Sequence, residues 1–411
     1  MGNFQSLVLE PWPDTDISWP RFISSTGQNW VLDIVFHIVI FTTSIILIGV
    51  YFHTWHNNVF QQSPPSAVTG ITPAPFDASG VSTQLMVNFQ VATANYGGIY
   101  TEQGRPYSGY CGRVDPLAVD DQINAGARAL IFDVWPDPTN TTQPCVAIME
   151  QNQGWWLNHG LTSGVTPSGF SNWRMITRNS VDLLTMLNAT AAAAPGSDPF
   201  FVLLNLHGAM TIPYLNTIGN VIDTTFMGRH MSVEYTKGAA PTQLAKAQVS
   251  AFSGRIFVMA NIIVDPAWTA LPPVPNVPIP TGSSPQLIAN TYAMAATRFA
   301  EQINLLSNYN ATAVPAAQQN VFPITSVNTS TTTPVPPNSS STFYVIQPSI
   351  GTLDTTNDTQ YSGSTSFLSC LKNTGAQFVG VNMFDQGDSN TLASFVKNFR
   401  GSSFLPIGNA T

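Results

Sequence analysis

Residues 126–137 read G-A-R-A-L-I-F-D-V-W-P-D, and residues 155–163 read W-W-L-N-H-G-L-T-S. Ala127–Phe132 is apolar apart from Arg128. A continuous apolar run of this kind reads as a strand buried on both faces, as in a parallel sheet or barrel. Asp133 falls where that strand is expected to end. In a parallel α/β barrel the chemistry is assembled at the C-terminal strand ends. Asp133, and His159 in the turn-like N-H-G that follows, are therefore the first candidate site residues.

Working outward, apolar runs alternate with helix-like segments. Strands are expected at Leu85–Ala92, Ala127–Val134, Phe200–Leu206, Arg255–Val264, Phe343–Gln347 and Gln377–Phe384. Helices are expected at Val119–Ala127, Asn179–Ala193 (capped by Asn179 or Ser180), Pro241–Phe252, Ser284–Asn308, Thr365–Leu371 and Thr391–Phe399. Strands alternating with helices predict an α/β fold with a parallel sheet. The number and spacing of strands suit a TIM-type (β/α) barrel with a long insert. His207, directly after the Phe200–Leu206 run, is a second histidine at an expected strand end.

Of the 411 residues 44% are hydrophobic and only 9% charged, so the polar surface falls to Asn, Gln, Ser and Thr. A net charge of −8 and the lack of any basic cluster exclude a nucleic-acid partner. The 3 cysteines, Cys111, Cys145 and Cys370, are too few for a disulfide framework and lack zinc spacing. Cys111 and Cys145 either pair in an oxidising compartment or stand as thiols. Asn-X-Ser/Thr sequons begin at Asn140, Asn188, Asn310, Asn328, Asn338, Asn357 and Asn409. They matter only if the domain enters a secretory lumen.

The chain begins M-G-N-F-Q-S, which matches the myristoylation pattern at Gly2. Ile34–Phe52 contains no Asp, Glu, Lys or Arg and is long enough to span a bilayer as a helix. Trp30, Tyr51 and Trp55 sit near its ends, as interfacial aromatics do. Arg21 is the only Lys or Arg before it, and none lies between His53 and Phe76, which favours a cytosolic N-terminus. The expected organisation is an N-terminal tail (1–28), a transmembrane helix (29–53) and a Pro/Ser-rich tether (54–82). A first barrel half (83–265), a Pro/Thr/Ser-rich insert (266–341) and a second half (342–411) complete it.

The order of motifs resembles the phosphatidylinositol-specific phospholipase C superfamily, in the form split into X and Y halves. I-N-A-G-A-R-A-L-I-F-D-V-W is similar to that family's L-x-x-G-x-R-x-x-E-L-D-x-W strand. L-N-H-G-L-T-S is similar to its H-G-H-T-L-T-S. The stretch from Asn179 to Leu206 resembles a helix followed by its Y-P-V-I-L-S-L-E strand, and S-G-R-I-F-V the strand closing the X half. N-T-G-A-Q-F-V-G-V-N-M-F resembles N-x-G-C-Q-x-V-A-L-N-F of the Y half.

The family cleaves phosphodiesters with two histidines and a calcium ion held by Asn, Glu, Asp and Glu. By this resemblance His159 takes the second histidine's place and Asp133 that of the calcium-binding Asp. Tyr96 stands where the first histidine is expected and Gly97 where the calcium-ligand Asn is. Ile131 and His207 replace the two calcium glutamates, and Met259 and Asn261 the two phosphate-gripping lysines. Calcium wants six or more oxygens, so no calcium is expected here, nor any other cofactor. A zinc or iron ion held by Asp133, His159 and His207 is the one alternative those residue types leave open.

The expectation is a single-pass membrane protein carrying a degenerate phospholipase C-like barrel that binds or builds rather than cuts. Its partners would be the lipid bilayer and neighbouring proteins of a membrane-associated assembly, and its Asn/Thr-rich texture fits a viral membrane or capsid shell. Two alternatives remain. One is a phosphodiesterase using His159 as general acid with Asp133 and Tyr96 beside it. The other is a receptor for a phosphoinositide headgroup.

Overall fold

Long apolar runs in this chain do form strands buried on both faces. A computed structural model describes residues 29–60, 81–101, 112–137, 140, 142–151, 173–175, 177–207, 211–231, 247–262, 291–306, 345–346, 371–372, 375–384, 390–399 and 402–407. The chain divides into two compact units, Met1–Pro64 and Pro65–Thr411.

The first unit contains helix α1, Asn29–Phe60. Ile34–Tyr51 within it is wholly exposed and is long and apolar enough to cross a membrane. Its 32 residues extend about 48 Å, more than the bilayer's hydrocarbon core. Gly2 and the tether from Gln61 to Gly80 lie outside the described residues.

The second unit is built on a 10-stranded sheet. Its main strands are β1 (Phe89–Asn95), β2 (Ala129–Pro136), β4 (Phe200–Leu206), β5 (Ile256–Ile262), β6 (Asn304–Leu306), β7 (Val345–Ile346) and β8 (Phe378–Asn382). Their spatial order is β6-β5-β4-β2-β1-β8-β7, and every pairing along it is parallel. Each strand from β1 to β6 thus adds beside its predecessor, and β8 returns to the other flank of β1. Three strands lie off this path: β3 (Pro144–Val146) runs antiparallel to β2, β9 (Phe404–Pro406) antiparallel to β1, and the two-residue strand Val181–Asp182 antiparallel to β3. Among the described residues the structure shows a parallel α/β sheet, with no pairing between β6 and β7.

Helices cover one face. They are α2 (Pro116–Asn124), α3 (Leu183–Ala193), α4 (Ile212–Thr225), α5 (Thr297–Gln302) and α6 (Asn390–Phe399). Leu130, Phe132, Val134, Val202, Leu204 and Val258 meet Met186, Leu187, Tyr214, Ile218, Phe299 and Phe395 in the larger apolar cluster. The opposite face makes a second cluster, from Phe89, Val91, Ala129, Ile131, Phe201, Leu203, Phe257, Met259 and Phe378. Phe201 sits at its middle, 5.0 Å from Phe378 and 5.8 Å from Phe252, ring centre to ring centre.

Several boundaries differ from expectation for identifiable reasons. β2 continues three residues past Asp133, because Val134–Pro136 pair with β3. Helix α2 starts earlier than expected, with Asp115 accepting from the Leu117 amide and Pro116 at the first position. Helix α3 is capped by Asp182, whose carboxylate accepts from Thr185 N. Asn179 instead bridges to the backbone of Val114. The helix expected over Ser284–Asn308 breaks at Ala296, and Asn304–Leu306 forms β6 against Met259–Asn261. Sheet pairing there overrides a helical pattern. Of Pro241–Phe252 the described part, 247–252, holds a single 3₁₀ turn, Val249–Phe252. Helix α4 went unforeseen because Asn216, Gly219 and Asn220 dilute its apolar stripe.

Gly219 shows how tightly α4 and α5 approach. A Cβ there would lie 2.6 Å from the carbonyl carbon and oxygen of Arg298 and 2.7 Å from Phe299 N. Mid-helix Gly→Ala ordinarily gains about 1 kcal/mol. Here the colliding atoms are backbone and cannot swing aside, and overpacking costs roughly 1–3 kcal/mol. Gly219→Ala is therefore expected to destabilise the domain, read as a lower midpoint in urea unfolding; a raised midpoint would disprove the close approach.

Candidate functional site

Parallel register brings the strand ends into line. Asp133 lies opposite Asn205, and Asn205 opposite Asn261. Asn95 lies opposite Asn382. Alternation along each strand then fixes the face. Asp133 follows Ala129 and Ile131 at two-residue steps, Asn205 follows Phe201 and Leu203, Asn261 follows Phe257 and Met259, and Asn95 follows Phe89 and Val91. The leading residues all belong to the second apolar cluster. The face away from the helices is therefore apolar over most of its length and polar at its C-terminal edge.

Asp133 and His207 meet at this edge. Asp133 Oδ1 accepts from Asn205 Nδ2 at 3.1 Å and lies 3.0 Å from His207 Nε2. An ionised carboxylate can only accept, so the pair assigns the imidazole proton to Nε2. His207 is held further by its backbone amide, which donates to Val134 O at 2.9 Å and continues the β2–β4 ladder by one step. Its ring stacks on Trp135, with centroids 4.1 Å apart and planes 6° from parallel. Asp133 is 4% exposed and His207 fully buried. The imidazole is thereby fixed in tautomer and plane, and its Nδ1 is buried without a hydrogen-bond partner. Such an atom can accept a proton or hydrogen bond from a hydroxyl brought beside it.

Tyr96 does not join this group. It belongs to the cluster on the helix-covered face, and it is the one non-glycine with positive φ among the described residues, at 54°. That left-handed conformation ends β1 and begins the turn. Gln122 Nε2 donates to Tyr96 O and Gly98 N donates to Gln122 Oε1, which clamps the turn to α2. The inward place at the end of β1 is Asn95, one residue earlier than motif matching suggested. Ile131 and Met259 are buried in the second apolar cluster. Gly97 lies against Phe132, where a Cβ would come within 2.9 Å of the ring. His159 and Gly2 lie outside the described residues.

Asn95, Asn205 and Asn382, none of them foreseen, are 4%, 2% and 7% exposed. Their signal was visible: V-A-T-A-N, V-L-L-N, V-M-A-N and V-G-V-N each end an apolar run on asparagine. Cys145 is a free thiol buried beside Trp135, Ala147 and Met149, so the pairing with Cys111 is not made. Burial, with Asp137 adding to it, pushes that thiol up to about 12, which makes it inert as a nucleophile.

The residues present do not suit calcium. Among the described residues a single carboxylate, Asp133, stands at this edge, and its Oδ1 is already shared between two N–H donors. No three His, Cys, Asp or Glu side chains converge as metal ligands among the described residues. Asp133 and His207 contact each other directly rather than flanking a space for an ion.

The sequence matches no family model and no curated protein. Among solved structures it is similar to the L. pealei PLC21 crystal structure, at 12% identity and a TM-score of 0.44, covering 82% of this chain. The chain spans 39% of the length of that protein. It is also similar to a calcium-dependent phosphoinositol-specific phospholipase C from a Pseudomonas species, at 12% identity and a TM-score of 0.45, covering 82% of this chain and 100% of that one. A third is the phosphatidylinositol-specific phospholipase C of Streptomyces antibioticus, at 11% identity and a TM-score of 0.44, covering 79% of this chain and 99% of that one.

Proposed function

We propose that this chain is a membrane-anchored, non-hydrolytic binding protein whose polar strand-end face receives the headgroup of a lipid or a similar hydroxyl-rich group. One observation carries the reading: Asn95, Asp133, Asn205, His207, Asn261 and Asn382 share one face at the C-terminal edge of a parallel sheet. Amides donate and accept and a carboxylate accepts, which together suit rows of hydroxyls. The strand order supports completion of the sheet into a TIM-type barrel, since closure needs only a β6–β7 junction. Helix α1 supplies the anchor, and a myristoylated Gly2 would strengthen it.

A second reading, residual phosphodiester hydrolysis, is favoured by the hydrogen bond that orients His207 and by the buried Nδ1 that has no hydrogen-bond partner. The full chain, reconstituted in phosphatidylcholine nanodiscs, separates the two. It is titrated with phosphatidylinositol and with glycerophosphodiesters, with and without divalent metals, while binding and product release are both followed. Saturable binding without product, weakened at least tenfold by Asp133→Asn, is the expected result. Product formation that disappears in His207→Ala would replace it with the hydrolytic reading. Neither binding nor turnover would end both.

A further inference from the structure

We propose that Asn140 accepts an N-linked glycan. Two sequons fall where both the asparagine and the hydroxyl residue are described, and they differ in the features that transfer requires. Asn140 is exposed in the short turn joining β2 to β3. The turn is closed by Asp137 N donating to Gln143 O at 2.8 Å and by Gln143 N donating to Asn140 O at 2.8 Å. Thr142, also exposed, donates through Oγ1 to Asn140 Oδ1 at 2.8 Å. Thr142 N donates to the same oxygen at 3.3 Å. Hydrogen bonds to an amide oxygen draw density from the nitrogen and make its N–H more acidic, which eases the proton loss that transfer requires.

The second sequon presents the opposite case. Asn188 lies within helix α3, and its partner Thr190 is buried with Oγ1 committed to Met186 O at 2.9 Å. Its hydroxyl is hidden, and an extended acceptor backbone would require unwinding the helix that covers β2 and β4.

The co-reactant is a lipid-diphosphate-linked oligosaccharide. Asn140 Nδ2 bonds to the anomeric carbon as the bond from that carbon to the diphosphate oxygen breaks. The lipid diphosphate leaves, and the amide proton passes to a base of the transferase. The inference rests on α1 crossing the membrane with the second unit on the lumenal side. It adds to the headgroup-binding reading without depending on it.

The test uses the full chain translated with endoplasmic-reticulum microsomes. Protease protection of the second unit reports its side of the membrane. Digestion with peptide-N-glycosidase in heavy-oxygen water marks each formerly glycosylated asparagine as labelled aspartate. Protection, label at residue 140 of the wild-type chain, none at 188, and loss of one glycan step in Asn140→Gln and Thr142→Ala are expected. A protected domain without label at 140 overturns the assignment of the site. An unprotected domain overturns it through topology instead. Mass spectrometry of the wild-type chain makes both outcomes independent of how the variants fold.

Discussion

Replacing Arg128 with alanine is expected to destabilise the domain by about 3–5 kcal/mol. Arg128 Nε donates to Asp198 Oδ2 at 2.6 Å, and the two side chains are 7% and 11% exposed. Nη1 also donates to the carbonyls of Ile123 and Ala127. Arg128 precedes β2 and Asp198 precedes β4, and Phe201 N donates to Arg128 O between them. The pair therefore clamps the N-terminal ends of two adjacent parallel strands. Truncation leaves a buried carboxylate without its cation, and that orphaned charge, more than the lost attraction, sets the cost. The Arg128→Met, Asp198→Leu double variant removes both charges and is expected to recover most of the stability. The exposed Arg298–Glu301 pair, at 3.4 Å with side chains 58% and 54% exposed, serves as the control. Arg298→Ala should cost about 0–1 kcal/mol. Urea unfolding of the four proteins checks this, and an unchanged midpoint for Arg128→Ala would exclude the clamp.

The same pair marks how far the sequence could be read. The A-L-I-F run announced a strand, and Arg128 stood out as the charge interrupting it. Nothing local names Asp198 as its partner, because the two meet only when β2 and β4 align. The site follows the same division. Asp133 and His207 were legible as polar residues closing apolar runs. Asn205 was not, since its importance comes from standing opposite Asp133 in the register. Tyr96 was misplaced because motif matching counts residues without knowing which face they take. Strand alternation gives that place to Asn95. Helix boundaries failed where caps or pairing decide them: Asp182 rather than Asn179 starts α3, and β5 draws Asn304–Leu306 out of a helical pattern. The apolar α1 needed no tertiary information, since length and the absence of charge suffice.

Asp133 and His207 are expected to behave as one unit rather than as two independent side chains. Asp133→Ala removes the shared acceptor of Asn205 Nδ2 and His207 Nε2, leaving two buried donors to find new partners. Each unsatisfied buried donor costs roughly 1–3 kcal/mol. His207→Ala removes one of those donors and the ring that covers Trp135, so Asp133 keeps only Asn205. In the double variant the His207 donor is no longer present to be orphaned, and its penalty is not counted twice. The double variant should therefore lose less stability than the sum of the single losses, by about 1–2 kcal/mol, within the usual range for contacting pairs. Urea unfolding of wild type, both single variants and the double variant measures the coupling directly. Additivity within about 0.5 kcal/mol would show that the two groups do not interact in solution. It would also remove the geometric basis for the hydrolytic reading, which relies on Asp133 to fix the plane and tautomer of His207. Asp133→Asn separates the contributions of charge and shape. It retains an acceptor oxygen for His207 and Asn205, so most of the stability should return. The negative charge at this edge is lost, and ligand affinity should fall with it.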